Sequence, residues 1–180
     1  CQKFIKQTLL SAKQRNIDVF FQHGNRDFLI SQKDAEFFNF TLLPEIYVDG
    51  TGPEPCLIMH GDNLCSNDEK YQKFKSITKK KWIRNLFFML PLFIRKKIAV
   101  KLRDDSQKLT TIGRDPLIYG LVPATIEKFL ADNNCAIIIH GHLHQYGLHY
   151  SETPHEKQRL ALGDWGEFYS FVKIDGNGFY

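Results

Sequence analysis

The chain has 180 residues, 43% of them hydrophobic and 24% charged, a composition that fits one globular domain with its own core. No stretch approaches the about 20 consecutive apolar residues that a spanning helix needs, so a transmembrane segment is not expected. Net charge is only +4, but residues 69–108 carry 13 of the 24 Lys and Arg against three acids, Glu69, Asp104 and Asp105. That lopsided field concerns partners, such as phosphate-bearing substrates, nucleic acid or anionic lipid, rather than the fold.

The first residues, CQKFIKQTLLSAKQRN, have apolar positions Phe4, Ile5, Leu9 and Ala12 near helical spacing. They have neither an initiator methionine nor the order of a signal peptide, and read as a helix entered midway through a longer protein. Ile17, Val19, Phe20 and Phe21 then make a short strand that ends in the loop HGNRD. Ser31 with Asp34 can cap a short helix through Phe37 and Phe38, after which Pro44, Gly50, Gly52, Pro53 and Pro55 mark a hairpin-like region. Cys56 to Met59 is a buried strand that ends in a second polar loop, HGDNLCSND, where Asn67 or Asp68 can cap the following helix. A long helical tract runs from about Glu69 to about Asp105, broken near Pro91. A helix from Pro123 to Asn133 leads into CAIIIH, a third buried strand, ending in HGHLH. YGLHY, RLALGDW and FYSFVKI read as successive short strands. The four cysteines, Cys1, Cys56, Cys65 and Cys135, lack disulfide-framework spacing and read as reduced thiols of a cytosolic protein.

Three apolar strands, each delivering a polar cluster at its C-terminal end, predict a layered α/β sheet with its site at the strand ends. The clusters are Asn25 and Arg26 in HGNRD, His60 and Asp62 in HGD, and His140, His142 and His144 in HGHLH. Imidazole nitrogen, amide oxygen and carboxylate oxygen suit borderline divalent ions such as Mn, Fe or Zn, and two such ions can clamp the attacking and leaving oxygens of phosphoryl transfer. A lone histidine is more simply a satisfied surface or core residue, but three clusters, all at strand ends, reverse that. Alternation along an extended HGHLH would put His140, His142 and His144 on one side. Asp62 could orient a ligand or cap its own loop. His23, His149 and His155 lack such company and read as structural or solvated.

The tract KKKWIRNLFFMLPLFIRKK encloses a short apolar run, Trp82 to Ile94, in cations. Its length rules out a span, and its apolar residues face nearly every direction, which suggests a lid that touches lipid, with the basic ends favouring anionic headgroups. A buried helical hairpin is the plainer alternative. Nucleic-acid binding is not expected, because Phe87, Phe88 and Phe93 lie in an uncharged block with the cations outside it.

HGNRDFL, LIMHGDNLCSND, LFFMLPLFIRKKIA, IIIHGHLH and LALGDW, in this order, resemble the UDP-2,3-diacylglucosamine pyrophosphatases of lipid A biosynthesis, within the calcineurin-like metallophosphoesterases. Arg26 looks like that branch's variant of a position more often His. The resemblance implies a layered β-sheet metallophosphoesterase sandwich flanked by helices, one domain over residues 1–180 with a helical lid inserted at about 69–108. It further implies a hydrolase that uses two manganese ions to cleave UDP-2,3-diacylglucosamine into UMP and 2,3-diacylglucosamine 1-phosphate. Asn25, His60, His142 and His144 are then its metal ligands, and Asn25 and Arg26 its catalytic residues, with Arg26 neutralising charge on the pyrophosphate. Asn25, Arg26, Asp68, Tyr71, Arg103, Ser106 and His142 are its substrate contacts. A monomer, peripheral on the cytoplasmic face of the inner membrane, is expected.

The chain departs from that pattern in three places. The Asp-x-His strand and the GD strand with which the family opens are absent, so the chain reads as an N-terminally truncated fragment. Thr110 and Gly113 stand where Asn and Lys are expected, and Leu143 where Thr is usual. Two rival readings stay open: the same metal chemistry on a soluble nucleotide pyrophosphate, and an inactive fragment that binds lipid through residues 69–108.

Overall fold

The computed structural model describes residues 2–111, 115–150, 158–164, 166 and 169–180, with the side chains of residues 105–111 and 116 left outside the description. Two compact units form: residues 1–62 with 127–180, and residues 63–126. The basic tract 69–108 lies inside the second unit, whose bounds are wider.

In the first unit, α1 (Gln2–Gln14) precedes β1 (Phe20–Phe21), and α2 (Gln32–Phe38) precedes β2 (Thr41–Leu42), which pairs in parallel with β1. The expected cap of α2 is present as a full capping box. Ser31 accepts from the Asp34 amide while the Asp34 carboxylate accepts from the Ser31 amide, and donation from the Ser31 hydroxyl above all, with that of its amide, holds the Asp34 carboxyl below its ordinary pKa. Asn39 closes the helix in the left-handed region, a conformation Asn tolerates. Ser31→Ala should lower stability by about 1 kcal/mol, read as a shift in the urea midpoint with an unchanged slope.

The main sheet runs in the order β3-β4-β5-β7-β6, built from β3 (Ile46–Asp49), β4 (Cys56–Met59), β5 (Ile137–His140), β6 (Gly147–Tyr150) and β7 (Gln158–Ala161). Its centre, β4, β5 and β7, is parallel, and β3 and β6 pair antiparallel at its edges. Central parallel strands are covered on both faces, which is why CAIII is continuously apolar: all four residues of β5, His140 included, are buried. One face packs Cys56, Ile137 and Ile139 against Leu160, Leu162, Val172, Ile174 and Phe179. The last two belong to a terminal hairpin of β8 (Ile174–Asp175) and β9 (Gly178–Phe179). Cys56 and Cys135 are buried thiols, and burial pushes Cys56 up to about 11, which makes it an inert core residue.

The second unit begins inside a 3-10 turn (Asp62–Leu64) and holds α3 (Glu69–Thr78), α4 (Lys81–Met89), α5 (Leu92–Thr111), α6 (Pro116–Tyr119) and the start of α7 (Pro123–Asp132). Asp68 caps α3 by accepting from the Tyr71 amide at 3.0 Å. The expected break at Pro91 is there, but the tract also breaks earlier, at Lys79 and Lys80. Cations near the C-terminus of α3 suit its dipole, and Lys80 then turns extended to start α4 without a side-chain cap. A second correction concerns FYSFVKI, of whose described residues, 169–174, only Ile174 lies in a strand. Ser170 is tied to the Gly163 backbone instead, accepting from its amide at 2.8 Å. Among the described residues no helix is long and apolar enough to cross a membrane.

Candidate metal centre at the strand ends

The parallel strands β4 and β5 pair Met59 with His140, so the loops HGD and HGHLH leave the sheet side by side. A bond from the Gly141 amide to the His60 carbonyl at 3.0 Å ties them together. The two histidines that follow from this placement meet: His60 Nε2 and His142 Nδ1 are 3.3 Å apart, with ring centroids at 5.1 Å.

The third loop reaches the same place through Gly24. A methyl group there would stand 3.0 Å from His60 Cε1 and 3.1 Å from its Nδ1, so a side chain at this position would press on that ring, and glycine lets the backbone lie against it without displacing it. The HGNRD loop is closed by the Asp27 carboxylate, which accepts from the Gly24 amide, and by His23, whose Nε2 is 2.8 Å from the Ile30 carbonyl. That is the structural role expected of His23. Asn25 follows Gly24 directly and is half-buried, while Arg26 is exposed in the same bend.

The expectation that His140, His142 and His144 share one side does not hold. The strand ends at His140, and His142 and His144 both adopt left-handed backbone, at φ 71 and 56. Alternation requires extended backbone, and this turn replaces it. The three rings consequently part. His140 is buried in the sheet, His142 faces His60, and His144 is exposed with Nδ1 3.8 Å from the Asp164 carboxylate. Left-handed non-glycine residues are uncommon and cluster at functional sites.

His140 is occupied at both nitrogens. Nδ1 lies 2.8 Å from the Gly141 carbonyl and Nε2 3.1 Å from Arg159 Nη1. Burial above all pushes its pKa down to about 4, with the Arg159 charge acting the same way. It is therefore a neutral structural imidazole and not a metal donor. Arg159, on β7, is half-buried, and burial lowers its pKa too. Neither Arg159 nor Asp164 was singled out from the sequence. The available signal was a lone cation in an otherwise apolar strand, RLAL, and the acid of GD after it.

Asp62 is buried at the start of the 3-10 turn. Asp68, Tyr71 and Arg103 lie in the second unit, on the N-cap and first turn of α3 and on α5. The side chain of Ser106, and His155, fall outside the described residues.

Among the described residues no group of three or more His, Cys, Asp or Glu side chains converges to hold an ion. The His60 and His142 pair nevertheless fits one. Two nitrogens bound to the same ion at about 2.0–2.1 Å and near-tetrahedral angles lie about 3.3–3.4 Å apart, and the separation seen is 3.3 Å.

A mixed sheet with parallel central strands, which bring two imidazoles to within 3.3 Å of each other and a glycine-bearing Asn loop against one of them, has the layout of a metal-dependent phosphoesterase. The family model for calcineurin-like phosphoesterases matches residues 2–146. A UDP-2,3-diacylglucosamine hydrolase of Histophilus somni is 35% identical over 97% of this chain and 74% of its own length. The proteins of the same name from Aeromonas salmonicida and Tolumonas auensis are 37% and 34% identical, over 91% and 97% of this chain and 64% and 71% of theirs. The chain belongs to the calcineurin-like phosphoesterases, in the group of the UDP-2,3-diacylglucosamine hydrolases.

Proposed function

We propose that this chain carries the hydrolase activity of its relatives, cleaving the pyrophosphate of UDP-2,3-diacylglucosamine into UMP and 2,3-diacylglucosamine 1-phosphate. The observation that carries the reading is the His60 and His142 nitrogen pair at 3.3 Å. His60 Nε2 and His142 Nδ1 would hold one divalent ion, with Asn25 and His144 as the further donors of a two-ion manganese site. Such ions supply Lewis acidity to the phosphoryl group. Arg26, exposed beside Asn25, offers a guanidinium whose fork matches phosphate oxygens. Asp68, Tyr71, Arg103 and Ser106 are assigned to the glucosamine phosphate and the nucleotide.

The lipid part of the reading rests on the second unit. Trp82, Met89 and Phe93 are 64%, 81% and 63% exposed, on helices that also carry Lys81, Arg84, Lys96 and Lys97. Exposed large apolar side chains among cations suit an anionic bilayer surface, which supports reading the chain as peripheral on the cytoplasmic face of the inner membrane; we read it as a monomer there.

The test is UMP release from detergent-dispersed UDP-2,3-diacylglucosamine with manganese supplied. Release that stops on chelation, returns with manganese and is far slower on an unacylated UDP-sugar is expected. Equal turnover of the unacylated compound would overturn the lipid assignment, and release indifferent to chelation would overturn the metal assignment.

A further inference from the structure

The connection between β7 and the histidine pair consists of three successive hydrogen bonds. Arg159 can only donate, so the 3.1 Å contact from its Nη1 makes His140 Nε2 an acceptor. The neutral His140 ring then carries its proton on Nδ1, which donates to the Gly141 carbonyl at 2.8 Å. The other side of the Gly141 residue, its amide, donates to the His60 carbonyl at 3.0 Å. The bracket has no slack. The His140 ring is 2% exposed, and a Cβ on Gly61 would come within 2.9 Å of its Nδ1. Among the described residues no ion pair involves Arg159; its half-buried guanidinium is held beside an imidazole.

We propose that Arg159 is a positioning residue: by donating to His140 Nε2 it fixes the tautomer that pins the Gly141 carbonyl, and Gly141, held there and bonded through its amide to the His60 carbonyl, sets the His60 and His142 rings at ligating separation. The half-buried pair is thereby governed from a neighbouring strand, by a residue that itself touches neither substrate nor ion. Partners that orient ligating histidines typically alter metal affinity by about 10- to 100-fold when removed, and Arg159 acts one bond further out through the backbone.

The inference rests on His60 and His142 being ligands, and the two readings fail separately. In metal-free protein with 15N-labelled histidine, His140 should show the Nδ1–H tautomer. Arg159→Met should move it towards Nε2–H, speed exchange of the Gly141 amide, and weaken manganese binding measured by calorimetry about tenfold. Arg159→Lys, which keeps a donor, should recover most of all three. An Nε2–H tautomer in the parent protein overturns the relay without reference to any metal. So does an Arg159→Lys protein no better than Arg159→Met, which would reduce Arg159 to packing. If Arg159→Met does not fold, the parent spectrum and the lysine variant still decide. Unchanged manganese binding in His142→Ala would instead sink the ligand reading, and with it the purpose assigned to the relay.

Discussion

His60→Ala is expected to lower UMP release more than 100-fold, beyond the roughly 10- to 100-fold typical of losing a group that merely supports a ligand. Three features converge on this residue. Its Nε2 faces His142 Nδ1 at 3.3 Å, its ring forms the wall against which Gly24 packs, and its carbonyl accepts the Gly141 amide. Alanine keeps the last of these and removes the other two, so the loops should remain in register while the nitrogen is lost. The protein should therefore fold, with a melting temperature near that of the parent, and bind manganese much more weakly. His60→Gln, which restores bulk and a polar atom but not an imidazole, should recover the packing against Gly24 and little of the activity. Activity within a few-fold of the parent in His60→Ala would remove this residue from the metal centre.

The parts of this arrangement that were legible in the sequence are those governed by local chemistry. Ser31 three residues before Asp34 is a capping pattern, and it caps. Cys56–Met59 and Ile137–His140 are short apolar runs bounded by turn residues, and they are the buried parallel strands. Proline at 91 breaks the helix as its ring and missing amide require. The failures share a different cause, which is that several outcomes were compatible with the local pattern and tertiary partners chose among them. HGHLH alternates as a strand would, but His140 is captured by Arg159 and the Gly141 carbonyl, and the chain turns left-handed directly afterwards. FYSFVKI has strand composition, yet Ser170 is bonded to Gly163. The pairing of His60 with His142 joins residues 82 apart in the chain, so the spacing within each motif says nothing of the distance between them. Motif order, through the resemblance, supplied what periodicity could not.

Gly61→Ala should destabilise the protein by about 3 kcal/mol and reduce activity by more than that loss of folded protein accounts for. Gly61 has φ +107, well beyond the left-handed well near +60° that other residues can occupy, and residues forced into such regions cost about 1–3 kcal/mol each. The added methyl would also stand 2.9 Å from His140 Nδ1 and 3.2 Å from the Gly141 carbonyl oxygen. Neither can retreat easily. The His140 ring is buried and bonded at both nitrogens, and the Gly141 carbonyl is one of the two groups holding it. Relief must come from moving the loop that follows His60, which also changes the spacing of His60 and His142. For a chain of this size, about 3 kcal/mol corresponds to a fall of roughly 6–12 °C in melting temperature. Gly50→Ala is the matched control, since a methyl there meets nothing within 4 Å, and it should stay within about 0.5 kcal/mol of the parent. If the two alanine variants melted together and retained equal manganese affinity, the close packing of Gly61 on His140 would have no part in shaping the centre.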